Sequence, residues 1–447
     1  MLSFIILFIS ILLIILLTSK FQWHPFIALM VVSIAFGLAM GMSAQPLIQS
    51  LKEGFGSTLG SIGIIIVAGL IIGTFIEESG GAHVIAQFFT TLFGTKRIHA
   101  AMGWMGYIIS IPVFADSGFV ILTPLNKALT RKVGVSLAGT AVALGIGLTA
   151  SHTMVPPTPG PLAAAAIVGA DLGWVIFSGV IASSLSLLVV IQFAKKMGQK
   201  IWIEPKIPSI SKEQIKVENR PSLIDALLPI LIPLFLMVCK AIVQYPGFPF
   251  KEGLLIRLIQ FVGDPLIALI IAVFFALRIP KKNVMKQLSE KGWVGKAIKG
   301  SATILLITAA GGAFGKIIQE TELHLSVEPY LKALPLGLAL PFLLAAFIKT
   351  AQGSSTVAII TAASIVAPML SGLGLSSDLD KALVVTAIGA GSAVISHAND
   401  SFFWVFTQFS DMSIPQGYKL HSFATFLLGF TALIILLLLK AGLAFLL

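Results

Sequence analysis

The sequence predicts an all-α polytopic membrane protein, an inverted repeat with about ten crossings, two re-entrant hairpins and two broken helices. Three observations predict it. Of 447 residues, 57% are hydrophobic and 11% charged, and mean hydropathy is +0.99, far above the roughly 45–50% apolar usage of soluble domains. Apolar stretches near the roughly 20 residues that cross a bilayer recur from end to end. Several are interrupted by proline, glycine and polar residues, in an order that repeats in the two halves.

Taken in order, uninterrupted spans are expected at 2–18, 25–42, 57–77, 172–194, 223–239, 258–277, 302–319 and 423–446. The first has neither the basic leader nor the small-residue cleavage site of a signal peptide, and reads as a retained span. Between the spans lie four breaks: "VFADSGF" at 113–119, "SHTMVPPTPG" at 151–160, "KTAQGSSTV" at 349–357 and "SHANDSFFW" at 396–404. Two basic segments, Lys195–Arg220 and Arg278–Lys299, each carry seven Lys and Arg, which puts both on the cytoplasmic side. Lys96, Arg97, Lys127, Arg131 and Lys132 flank the first break, so a hairpin at 98–129 enters from inside. Glu320, Glu322, Glu328, Asp378 and Asp380 bound the third break, so a hairpin at 333–371 enters from outside.

The expected organisation is therefore a first repeat at 1–194, a cytoplasmic linker at 195–221 and a second repeat at 222–447, with broken helices at 133–170 and 380–410. Each half reads as three spans, a hairpin, a broken helix and a final span, in opposite orientations. "IIGTFIEESG" is echoed by "AFGKIIQETE", and Ser151-His152 by Ser396-His397.

Non-helical backbone at membrane depth is tolerated only where it is buried in protein or lines a wet cavity. Pro156, Pro157, Pro159 and Pro161 remove donors and unwind the chain, freeing carbonyls and exposing half-helix N-termini. A single break of this kind is an ordinary kink; four, paired by position, point to a central binding site. Ionisable residues there cost about 2.5–3.5 kcal/mol on insertion scales and are functional candidates. Asp116 and Asp400 are candidates for ion coupling, Asp400 equally for an N-cap. His152 and His397 are candidates for hydroxyl contacts or proton transfer. Lys349 is the candidate counter-charge for an anion, against a snorkelling role at the outer surface, with Gln352, Ser354, Ser355 and Thr356 as neutral partners. Glu77, Glu78 and Lys316 read as interfacial or packing residues.

Other chemistries are disfavoured. There is no Walker loop, metal-ligand pair at helical spacing or Gly-x-Ser-x-Gly elbow, so no enzyme or cofactor is expected and an ion gradient supplies the energy. The net charge of +11 sits in short loops rather than on an aromatic-bearing polar domain, which disfavours nucleic acid. Cys239, the single cysteine, allows no internal disulfide.

Across nearly its whole length the chain resembles the gluconate permease (GntP) family of secondary transporters, within the ion transporter superfamily. The resemblance rests on "GSTLGSIGIIIVAGLIIGTFIEESGGA", "FADSGFVILTPL", "ASHTMVPPTPGP", "AAFIKTAQGSSTVAIITAA" and "GAGSAVISHANDSFFW". It implies a multi-pass symporter of the bacterial inner membrane for gluconate or a related hydroxycarboxylate such as glycerate. Protons are the expected coupling ion and sodium the alternative; D-serine symport and cation/proton antiport are the alternative activities. It further implies a lipid-embedded homodimer working as an elevator. Carried over by position, the substrate-binding set is Ser117, Gly118, Ser151, His152, Thr153, Thr158, Lys349, Gln352, Gly353, Ser354, Ser355, Thr356, Ser396, His397 and Asn399. The chain departs from the family pattern in Asp116-Ser117, where glutamate-valine is common, in Thr158 for histidine and in Lys349 for arginine. A lysine offers a point charge where arginine offers a two-pronged fork, so the substrate is not fixed by the resemblance.

Overall fold

The computed structural model describes residues 2–205, 221–244, 253–280, 284–321, 336–397 and 400–444. Glu322, Glu328 and Asn399, most of the 195–221 linker and the first residues of the second hairpin lie outside them. The described regular structure is helical throughout. Its longer helices are α1 (Leu2–Ser19), α2 (Pro25–Ala39), α3 (Ala44–Glu78), α4 (Gly81–Phe93), α5 (Ile98–Ile109), α6 (Ala115–Val133), α7 (Leu137–Met154), α8 (Pro159–Val168) and α9 (Leu172–Lys200). There follow α10 (Leu223–Gln244), α11 (Leu254–Val262), α12 (Pro265–Ala276), α13 (Trp293–Glu320), α14 (Ala339–Gln352), α15 (Ser355–Val366), α16 (Asp378–Ala393), α17 (Ser401–Phe409) and α18 (Phe423–Ala444). Among the described residues, five helices are long and apolar enough to cross a membrane, or seven if each of two bent pairs is one span.

All four expected breaks interrupt helices: between α5 and α6, α7 and α8, α14 and α15, and α16 and α17. Two expected spans differ. The stretch expected at 258–277 is α11 and α12, bent by 69°, because Asp264 caps α12 by accepting from the Leu266 N–H at 3.1 Å and Pro265 begins the new helix. The stretch expected at 57–77 begins earlier, at Ala44, and bends by 42° near Gly60–Gly63. Helix α4, not anticipated, starts after Gly80, whose φ is +77°.

Burial sorts the helices. In the most apolar window of Leu137–Val168, 94% of residues are buried, against 28% for Leu223–Lys240. The interrupted helix thus lies at the centre and α10 at the periphery, as expected where hydrocarbon surrounds the protein and broken, polar backbone has to be buried within it.

Helices α3 and α13 form a long antiparallel pair, joined at one end by an ion pair between Lys296 and Glu78. At the other end a methyl group on Gly312 would lie 1.9 Å from Thr58 Oγ1 and 2.9 Å from the Gly54 carbonyl. Such close approach through small residues is how helices gain contact in lipid, where apolar burial between helices drives nothing. Around this frame stand the interrupted helices. Helix α6 packs with α17 through Phe119, whose ring centroid is 5.7 Å from that of Phe402 and 5.3 Å from that of Phe406. Lys127 near the far end of α6 meets Asp411 at 2.7 Å.

Candidate functional site

Three of the four half-helices that begin at a break contribute to a central cavity of about 350 Å³: α6 through Ala115 and Asp116, α15 through Ser355 and Thr356, and α17 through Phe402. The C-terminal end of α7 supplies Thr149, His152 and Thr153, and the end of α16 supplies Ala393. Helix N-termini carry partial positive charge and unsatisfied N–H groups, so their convergence favours an anion. The fourth, α8, has Pro159 and Pro161 in its first turn and lines a small adjoining cavity instead.

One buried ion pair dominates the floor. Lys349 is 2% exposed and Asp400 7%, with Nζ 2.6 Å from Oδ2. Lys349 also donates to the Gly353 carbonyl. That carbonyl turns inward because Gly353 has a φ of +91°, a conformation that suits glycine. Asp400 caps α17 by accepting from the Phe402 N–H at 3.0 Å and takes a further hydrogen bond from Ser396 Oγ at 2.5 Å. Buried charges persist only when paired and hydrogen-bonded in this way. Asp400 therefore has the capping geometry anticipated for it, and Lys349 is buried rather than reaching the surface.

Behind the pair stands a residue that sequence reasoning missed. His421 Nε2 is 3.1 Å from Ser396 Oγ. Since Ser396 gives its hydroxyl proton to Asp400, His421 donates through Nε2–H. Its ring stacks on Phe406, with centroids 4.3 Å apart. Ser396 is held from other directions too: its N–H donates to Thr425 Oγ1 at 3.1 Å and its carbonyl accepts from Ser422 Oγ.

Across the cavity the groups are less engaged. Among the described residues, Asp116 Oδ1, Ser151 Oγ and His152 Nδ1 are buried without a hydrogen-bond partner. The His152 ring faces Phe114 with centroids 5.7 Å apart. Thr149 and Thr153 turn their hydroxyl protons back to the Gly145 and Thr149 carbonyls, at 2.9 and 3.0 Å, leaving oxygen lone pairs for a donor.

Of the residues singled out by sequence, the cavity brings together Asp116, His152, Thr153, Lys349, Gly353, Ser354, Ser355, Thr356, Ser396 and Asp400. Others lie elsewhere. Ser117 lines a separate cavity against α3 and α13. A methyl on Gly118 would meet Leu148 at 2.7 Å, so that position packs α6 against α7. Ser151 is buried off the lining. Thr158 donates to the Val155 carbonyl at 2.7 Å and faces the small adjoining cavity. His397 Nε2 lies 2.7 Å from the Thr350 carbonyl. The side chains of Gln352 and Asn399 lie outside the described residues. Thr149 is one helical turn before Thr153, and that spacing is the signal that would have found it. Phe114 and Phe402 fall within two of the breaks, and that placement is their only signal; His421, two residues after Lys419, carries none.

The GntP family permease model matches residues 2–442. The gluconate permease of Pseudomonas aeruginosa is 33% identical over 445 residues, covering 95% of each chain. The D-serine transporter DsdX of Escherichia coli K12 is 34% identical over 439 residues, covering 96% of each. The YdaH transporter of Alcanivorax borkumensis superposes with a TM-score of 0.65 at 16% identity, over 94% of this chain and 99% of that one; this likeness shows the fold alone. With its full length matched and its helices converging on a buried polar cavity, the chain belongs to the GntP family of permeases and is a transporter, not an enzyme.

Proposed function

We propose that the chain is a proton-coupled importer of a small hydroxycarboxylate, gluconate or a shorter relative such as glycerate, in the bacterial inner membrane. The observation that carries this reading is the charge count of the central cavity. Lys349 and Asp400 cancel, and Asp116 faces the same space. With Asp116 ionised, an arriving carboxylate meets net negative charge in a poorly solvated site, where like charges strongly disfavour one another. A proton on Asp116 removes that opposition, so anion and proton enter together. The substrate carboxylate lies against Lys349 and the N-terminus of α15. Its hydroxyls meet Ser354, Ser355, Thr356, Thr149, Thr153 and His152. The gluconate permease of P. aeruginosa as a full-length relative supports the substrate class.

The two halves of the chain act as opposed repeats, 1–194 and 222–447, with the segments at 98–129 and 333–371 as re-entrant hairpins. The matching order of breaks supports this. The α3–α13 pair belongs to a static scaffold in each subunit of a homodimer, while the interrupted helices travel across the membrane as an elevator.

Uptake of labelled gluconate and glycerate into proteoliposomes tests the reading. An inward proton gradient should drive accumulation, with proton influx matching substrate influx, and sodium should be dispensable. A strict sodium requirement would overturn proton coupling and recast Asp116 and Asp400 as cation ligands. A second reading, D-serine symport, is favoured by the DsdX relative and by the placement of Lys349 and Asp116 on one cavity, where they match the two charges of a zwitterion. Accumulation of D-serine in place of hydroxy acids would select it.

A further inference from the structure

The central cavity does not end at the first tip, residues 110–114 between α5 and α6. Past Phe114 it adjoins a constriction of about 10 Å³, the room of roughly one water molecule. Beyond lies a vestibule of about 170 Å³ between the first tip, α3 and α13. Phe114 borders all three spaces, His152 borders the central cavity and the constriction, and Pro112 and Val113 border the constriction and the vestibule. The ring is half-buried and stands against His152.

In the described state the tip rests against α3 where the path narrows. A methyl on Gly73 would lie 2.0 Å from the Pro112 carbonyl, so the two touch backbone to backbone. Within this state the part of the wall left to move is the Phe114 side chain, one residue ahead of α6. Four polar side chains, Thr74, Glu77, Ser117 and Lys296, stand in the vestibule wall. Lys296 is held by Glu78, which stands outside the wall, so its charge is already engaged. Such a wall accepts hydrogen bonds from substrate hydroxyls and offers an anion no free positive charge to hold it, and conduction requires sites weak enough to leave. Lys296 also belongs to the basic segment Arg278–Lys299, which marks the cytoplasmic face.

We propose that these three cavities form one path, the inward release route of a hydroxycarboxylate, with the Phe114 ring as its gate and the Glu77–Lys296 vestibule as its last station. This rests on the central cavity being the substrate site.

The test uses full-length protein carrying Cys239→Ser, with one reporter cysteine at a time: Ala393→Cys inside the gate or Ser117→Cys beyond it. Vesicles exposing the Arg278–Lys299 face are treated with a small anionic methanethiosulfonate, and labelling of folded, detergent-extractable protein is followed. Phe114→Ala should speed labelling of the Ala393→Cys reporter about tenfold, with Phe114→Leu intermediate, as expected for a side chain that occludes a path. Labelling of the Ser117→Cys reporter should not respond to residue 114. In vesicles of opposite orientation neither reporter should respond. Ala393→Cys labelling independent of residue 114, or dependent on it only from the opposite face, would overturn the route. Gluconate and glycerate binding to purified Cys239→Ser protein is measured alongside. Absence of binding in a protein whose gate still responds would overturn the hydroxycarboxylate cargo assigned here, not the path.

Discussion

The two Ser-His pairs, one in the last turn of α7 and one just past the end of α16, are held in opposite ways. Ser396 is tied to Asp400, His421, Thr425 and Ser422, and His397 to the Thr350 carbonyl. Ser151 Oγ and His152 Nδ1 have no partner among the described residues. One break is a fastening; at the other, His152 faces the cavity while Ser151 lies off it. The difference teaches that a dipeptide can recur without repeating what it does. Buried polar groups that satisfy one another rigidify, whereas unsatisfied ones carry a standing cost that a ligand can relieve.

The largest effect expected is at the fastening. Lys349→Ala leaves Asp400 buried without its counter-charge, a change worth about 3–5 kcal/mol. Uptake should be abolished while folded protein remains detectable by size-exclusion chromatography. Undiminished uptake would remove Lys349 from the anion site. The double variant Lys349→Ala, Asp400→Ala should recover thermal stability without recovering uptake, which separates packing from transport.

Next in size is Asp116→Asn. Gradient-driven accumulation should disappear while exchange of internal for external substrate persists, read as counterflow in proteoliposomes. Retained accumulation under a proton gradient would move coupling away from the first tip. The pairs themselves come third. His152→Ala should raise the KM for uptake by roughly tenfold, the loss of about 1.4 kcal/mol expected of a hydrogen bond to substrate. His397→Ala should leave KM unchanged and lower the melting temperature. The reverse outcome would invert the comparison. Smallest is Ser151→Ala, less than about 0.5 kcal/mol of stability, against about 1–3 kcal/mol for Ser396→Ala through the partners it strands.

The breaks were legible in the sequence because proline, glycine and charge cannot sit casually in an apolar span. Asp116, Lys349 and Asp400 were legible for the same reason. What was not legible arose from distance along the chain. Nothing local joins Lys349 to Asp400, so their pairing turned two separate candidates into one neutral unit only once α14 and α17 were packed. His421 lies two residues after a lysine near the start of the last span and reads as an interfacial residue until its ring is seen stacked on Phe406. The bend at Asp264-Pro265 was legible in principle, since an N-cap followed by proline opens a helix, but unbroken hydropathy over 258–277 masked it.

At Gly54 and Gly312 the backbones of α3 and α13 come so close that a methyl group on either would collide with the facing helix. Two glycines on facing helices thus work as a single fitting, and a side chain added to either should shift both helices rather than one.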